Sequence, residues 1–277
     1  MIPSFRPLGM RNGQRLAIAV LALGGLFSAT SAHAATNVYQ ELFLSMDVSG
    51  SVTDSQYDTY RNGYVTAFNL PSVKSHIQST FANGGVAIAV GQWTTTEFTP
   101  LAIGWTLVNS DAAYSAFVSA LSGMPRQGTG STCTGCGMKH AIDEITSNGY
   151  ETPVGIPNRK VIDVSTDGAT NVFTVSAPAE RDRAESLGII INGLGIGSAA
   201  TTTLTNDVVT DATSLAKAGF VEVADTDADF QAAIATKLVK EAGKTSVPGP
   251  LPIFAVAAGF SYSRRLRNRV RLALPVA

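Results

Sequence analysis

At 277 residues, 45% hydrophobic and 15% charged, with 26 Gly and 12 Pro, the chain can bury a full core and reads as one globular domain with appendages. Its formal net charge of −1 hides an asymmetry: three arginines (Arg6, Arg11, Arg15) open the chain and five (Arg264, Arg265, Arg267, Arg269, Arg271) close it, while the stretch between holds 12 basic against 21 acidic residues, a net −9. An acidic body argues against nucleic acid and anionic membrane surfaces as partners, and it tolerates cations.

In chain order, Arg11 and Arg15 precede an apolar stretch at 16–27, and small residues ending in Ala32-His33-Ala34 follow. That order is a secretory signal peptide over residues 1–34, cleaved after Ala34. A transmembrane anchor would need about 20 apolar residues. The body, residues 35–245, alternates short apolar runs with helical patterns. Strands are predicted at 42–48, 86–93, 101–107, 160–165, 189–196 and 220–223. Helices are predicted at 54–68, 71–81, 112–121, 138–147, 177–186, 207–218 and 229–242. The Ala/Thr/Ser stretch at 198–205 reads as a surface loop. Runs of Val, Ile and Leu alternating with helices predict a mostly parallel sheet covered on both faces. The strands at 86–93 and 101–107 have no helix between them and predict an antiparallel pair at one edge. Residues 246–277 form a C-terminal segment: Val-Pro-Gly-Pro-Leu-Pro at 247–252 breaks the preceding helix, 253–262 is apolar, and an arginine cluster follows. Such a segment would halt during export with its arginines on the cytoplasmic side.

In sheets of this kind ligands bind beyond the carboxyl ends of the strands. Asp47, Ser49 and Ser51, in Asp-Val-Ser-Gly-Ser-Val, lie where the first strand emerges into a loop, and these hard oxygens point to a divalent cation rather than a nucleophile. Ser51 or Thr53 could alternatively cap the helix beginning near Asp54. Two further segments reach the same sheet edge: Gly130-Ser131-Thr132, in a polar loop before a helix, and Ser165-Thr166-Asp167-Gly168, at the end of an apolar strand.

In order and spacing, Asp-Val-Ser-Gly-Ser at 47, Gly-Ser-Thr at 130 and Val-Ile-Asp-Val-Ser-Thr-Asp-Gly at 161 resemble the metal-ion-dependent adhesion site of von Willebrand factor type A domains. The likeness covers about residues 38–242, and phrases such as Val90-Gly91-Gln92-Trp93 are similar to an uncharacterised bacterial secreted branch of that superfamily. The resemblance implies an α/β three-layer sandwich, a mostly parallel sheet with one antiparallel edge strand. It implies that Ser49 and Ser51 bind a metal directly, Thr132 directly or through water, and Asp47 and Asp167 mainly through water. Few directly bound carboxylates leave the ion electrophilic, with a position open for a carboxylate on a protein partner. Mg²⁺, which keeps several waters in an octahedral oxygen set, suits these donors, with Mn²⁺ and Ca²⁺ as alternatives. The C-terminal segment resembles PEP-CTERM sorting signals of Gram-negative bacteria, with Pro248-Gly249-Pro250 in place of Pro-Glu-Pro. That likeness implies an exosortase-type sorting protease as a partner and a place in the cell envelope, at the cell surface or in the extracellular matrix.

Cys133 and Cys136, in the Thr132 loop, are predicted to form a local disulfide in an exported protein. A thioredoxin-like redox pair and a Cys₂His zinc site with His140 are the alternatives. Asp163, a charge in mid-strand, is predicted to accept hydrogen bonds from the Gly-rich or Cys loop. The sequence reads as a binding module for adhesion or scaffolding rather than an enzyme. Metal-assisted hydrolysis is the alternative, weakened by the lack of a nearby His or Glu to act as base.

Overall fold

The computed structural model describes residues 35–153, 159–213, 218–226 and 229–243. The predicted signal peptide and C-terminal segment lie outside the described residues. The element order is β1 (Thr36–Asn37), β2 (Gln40–Asp47), α1 (Asp54–Asn69), α2 (Pro71–Ser79), β3 (Val86–Trp93), β4 (Ile103–Val108), α3 (Asp111–Ser122), α4 (Thr134–Ser147), β5 (Tyr150–Glu151), β6 (Lys160–Thr166), α5 (Ala177–Ser186), β7 (Ile190–Ile196), α6 (Gly197–Thr203), β8 (Val221–Ala224) and α7 (Phe230–Gly243). Six strands form one sheet in the order β4-β3-β2-β6-β7-β8, parallel except for the edge pair β3/β4. The short pair β1/β5, two residues each, was not legible in the sequence pattern.

Side-chain alternation along the strands divides the core into two layers. On one face Leu42, Leu44 and Met46 of β2 meet Tyr57, Tyr60 and Tyr64 of α1, Phe117 of α3, and Phe230 and Ile234 of α7. On the other, Phe43, Ile162 and Val164 meet Met138, Ala141 and Ile142 of α4 and Ala184 of α5. Strands buried on both faces explain why β2 and β3 read as continuous apolar runs rather than alternating ones.

Local signals set most boundaries. Thr53 caps α1 through a reciprocal pair with Gln56, whose backbone N–H donates to the Thr53 hydroxyl while its side chain accepts from the Thr53 N–H at 2.8 Å. Pro71 forces Leu70 into an extended conformation, which ends α1 and starts α2. Ser110 and Ser176 cap α3 and α5.

Two expectations fail. α4 begins at Thr134, four residues before the predicted 138, because Gly135 and Gly137 serve packing rather than breaking the helix. A Cβ on Gly137 would lie 2.4 Å from the Trp93 indole nitrogen, and one on Gly135 would lie 2.3 Å from the Val175 carbonyl. The helix predicted at 207–218 and the loop at 198–205 are also corrected. The chain is helical from Gly197 to Thr203 and runs through a π turn, Leu204–Val208, into extended backbone at Val209; residues 214–217 lie outside the description. The polar composition misled because Thr201, Thr202 and Thr205 turn their hydroxyls back onto carbonyls four residues earlier, at 2.8–2.9 Å. Leu204 and Val208 meanwhile bury against the sheet.

The Asp163 prediction is corrected as well. Asp163 shares the α1/α7 side of β6 with Val161, and its partner is the fully buried Lys237 of α7, whose ammonium lies 2.6 Å away. The Gly-rich and Cys loops play no part.

Candidate functional site

The carboxyl ends of β2 and β6 adjoin in the sheet, with Met46 opposite Ser165. That pairing puts the β2–α1 loop and the β6–α5 loop side by side. A third segment, 126–133, closes over both, tied by the Gly50 N–H donating 2.7 Å to the Gly130 carbonyl.

All five predicted site residues converge here. The Thr132 hydroxyl donates to Ser49 Oγ at 3.1 Å, Ser49 Oγ lies 3.2 Å from Ser51 Oγ, and the Ser51 hydroxyl donates to Asp167 Oδ1 at 2.7 Å. Asp47 backs this chain of oxygens. Its Oδ1 accepts the Ser49 N–H at 2.7 Å, and its Oδ2 accepts the Thr166 hydroxyl at 2.5 Å. Gly168 borders the same space, since a Cβ there would stand 3.6 Å from Ser51 Oγ and 3.9 Å from Thr132 Oγ1. Because Thr53 caps α1, Ser51 is released from capping and turns to Asp167.

The electrostatics favour a cation. Burial pushes the Asp47 carboxyl up to about 6, beyond what its hydrogen bonds to Thr166 and Ser49 recover, and the Asp167 charge adds to the push. A buried acid lacking a counter-charge, facing three hydroxyls and a second carboxylate, is a donor set that fits a hard divalent ion. Asp47, Ser49, Ser51, Thr132 and Asp167 are the residues that could hold one.

Residues the sequence did not flag hold these in place. Arg126 Nη2 donates to the carbonyls of Val48 and Ser49 at 2.8 and 2.9 Å, and its Nη1 pairs with Asp54 at 2.8 Å. It thereby fixes the backbone of the Asp47–Ser51 loop. Gln92 in turn holds the arginine's segment, donating to the Pro125 carbonyl and accepting the Gln127 N–H. Asn171 grips Thr132, accepting its N–H at 2.8 Å and donating back to its carbonyl at 3.0 Å. Nothing in Pro125-Arg126-Gln127 or near Asn171 marks these roles, because each acts through backbone groups of distant segments. Thr166 was legible only as a neighbour of Asp167.

Cys133 and Cys136 form a disulfide across the first turn of α4. With both sulfurs bonded, no thiolate remains for a Cys₂His zinc site. The two residues are 0% and 3% exposed, an environment that shields them from thiol exchange. Thr174 Oγ1 sits against both sulfurs at 3.6 and 3.5 Å, so the bridge knits the Thr132 segment to the 167–176 loop. On that loop Phe173 is 77% exposed, the most exposed large apolar side chain among the described residues. His140 is not part of the site. Its ring packs against Phe43, and its Nε2 lies 3.7 Å from Glu144.

Fold and loop arrangement together define a von Willebrand factor type A-like α/β domain. The chain belongs to the family described as "Protein of unknown function (DUF1194)", whose model matches residues 37–246. Among solved structures it is similar to proximal thread matrix protein 1 from the mussel byssus, at 17% identity and a TM-score of 0.52 over 76% of this chain and 47% of that one. It also resembles a form of that protein with a zinc-occupied MIDAS motif, at 15% identity and a TM-score of 0.50 over 74% of this chain and 47% of that one. A von Willebrand factor type A protein from Catenulispora acidiphila matches at 17% identity and a TM-score of 0.49, over 75% of this chain and 43% of that one. The chain thus spans about half the length of the solved structures it matches, and at these identities the likeness is one of fold. No curated protein sequence matches it.

Proposed function

We propose that the domain is a binding module, not an enzyme, that holds a divalent cation at Asp47, Ser49, Ser51, Thr132 and Asp167 and through it an acidic group on a protein partner. The observation that carries this reading is the continuous chain of oxygens from Thr132 through Ser49 and Ser51 to Asp167, backed by a buried carboxylate. Neighbouring ligands of an octahedron with bonds of roughly 2.0–2.1 Å, as Mg²⁺ requires, stand about 2.9 Å apart, whereas the longer bonds of Ca²⁺ separate them by about 3.3–3.7 Å. The two hydroxyl–hydroxyl separations, 3.1 and 3.2 Å, fall between the two figures and suit a divalent ion of either size. The byssus protein of similar fold, in a form with a zinc-occupied MIDAS motif, supports a divalent ion in this domain.

Among the described residues the carboxylates gathered here are Asp47 and Asp167, so a bound ion stays electrophilic toward a third one from a partner. The chain's own residues orient and position here: Arg126 and Asn171 fix the loops, and Asp47 supplies buried negative charge. The histidine nearest in sequence to Thr132, His140, packs its ring against Phe43 and makes no recorded contact with the five site residues, which favours binding over hydrolysis. The signal peptide and arginine-closed tail read from the sequence, together with the disulfide, support display outside the cytoplasm, with an exosortase-type protease acting on the tail. The test is a screen of Asp- and Glu-bearing peptides against the exported protein in Mg²⁺ and in chelator. The reading expects binding that chelator abolishes and that Asp47→Ala removes without unfolding the domain. Peptide binding that survives chelator would overturn it.

A further inference from the structure

The face of the sheet away from α4 carries a charge cluster that the cation site does not use. Lys237 Nζ of α7 lies 2.6 Å from Asp163 Oδ1 of β6 and 2.6 Å from Glu241 Oε1, one turn further along α7. The Lys237 and Asp163 side chains are 0% exposed and that of Glu241 is 2% exposed. Asn192 of β7 donates to Glu241 Oε1 at 2.9 Å, and the Tyr64 hydroxyl of α1 donates to Asp163 Oδ1 at 3.4 Å. The second oxygens, Asp163 Oδ2 and Glu241 Oε2, have no hydrogen-bond partner.

One ammonium faces two carboxyl groups. With all three ionised, the cluster would bury a net negative charge and leave two carboxylate oxygens bare, an arrangement the interior strongly opposes. With one proton added the cluster is neutral. We infer that α7 is latched to the sheet by a buried Lys237–Asp163–Glu241 cluster that closes with one extra proton, so that the latch is tight in acid and loosens as pH rises toward neutrality.

Among the described residues no other acid or histidine is recorded against the cluster. α1 contributes Tyr64, which burial and the neighbouring Asp163 keep protonated well past its ordinary range. β7 offers the neutral Asn192. Gln40 of β2 and the apolar Val73 and Ile77 of α2 line the small cavity beside Glu241. Lys240 pairs instead with Glu222 of β8 and is half-exposed. Burial pushes Glu241 from 4.5 up to about 7 against the pull of Lys237, and raises Asp163 too. The proton belongs to the carboxyl pair as a unit.

The sign follows from linkage. Between about 4.5 and 7 the docked state holds a proton that the released state has lost, so docking weakens as pH rises across that window and levels off above it.

Hydrogen exchange on the full-length exported protein tests this, with rates corrected for intrinsic pH dependence. The opening constant of the 233–241 amides of α7 should rise at least tenfold from pH 5 to pH 8, against a smaller change in α4. Glu241→Gln should flatten the α7 response. An α7 that tracks α4, or a pH response unchanged in Glu241→Gln, overturns the latch. Because the variant could fail to fold, infrared spectroscopy of the unmodified protein supplies a second reading: a protonated-carboxyl band with a midpoint near pH 7 supports it, and the absence of any such band above pH 6.5 refutes it.

Discussion

Strand β6 and the loop that leaves it carry two aspartates four residues apart, and the fold treats them oppositely. Asp163, in mid-strand and fully buried, is met by an internal cation, Lys237. Asp167, just beyond the strand's end and part-exposed, accepts the Ser51 hydroxyl at 2.7 Å. Asp47, at the end of the neighbouring strand, is buried and accepts the Ser49 N–H and the Thr166 hydroxyl. Inside the sheet the chain supplies its own counter-ion. At the carboxyl edge it gathers the carboxyls of Asp47 and Asp167 with the hydroxyls of Ser49, Ser51 and Thr132, the donor set proposed above for an external cation.

The comparison breaks most sharply at its interior half. Lys237→Met leaves two buried carboxyls without their ammonium and should cost about 3–5 kcal/mol of stability, read from denaturant unfolding at pH 7. A loss below about 1 kcal/mol would mean that the cluster is already neutralised another way. At the edge the same kind of truncation acts on affinity instead. Asp167→Ala should weaken cation binding by about a hundredfold, roughly 2.7 kcal/mol, with little effect on metal-free stability. Both halves then differ in pH response. Asp47 must ionise to receive a cation, and burial holds it to about 6, so affinity should fall about tenfold between pH 7 and pH 5. An affinity flat across that range would remove Asp47 from the ligand set.

The smallest effect separates the two hydroxyls that the sequence left interchangeable. Thr53→Ala should cost about 1 kcal/mol of stability through loss of the cap while leaving cation affinity intact. Ser51→Ala should do the reverse. Equal behaviour of the two variants would dissolve the distinction between cap and site.

Much of this was legible in the sequence because the signals were local. Parallel strands, the β3/β4 edge pair, the start of α1 at Asp54 and the three site segments each announce themselves within a few residues. What stayed hidden was set by contacts between distant segments. Gly135 and Gly137 look like helix breakers until Trp93 and Val175 are brought against them. The helix at Gly197–Thr203 looks like a loop until its threonines bond inward. Arg126 reads as an ordinary surface charge, and Lys237 as one polar position in a helix. Asp163 was recognised as anomalous, but its partner lies 74 positions away on another element, beyond the reach of any spacing rule.

The account stands on whether the carboxyl edge takes a cation that the interior does not need. Isothermal titration of Mg²⁺ into the metal-free protein at pH 7, beside Asp47→Ala, decides it. One saturable site in the parent protein, absent in the variant, is the predicted result. No saturable binding in the parent, or equal binding in both, would contradict it.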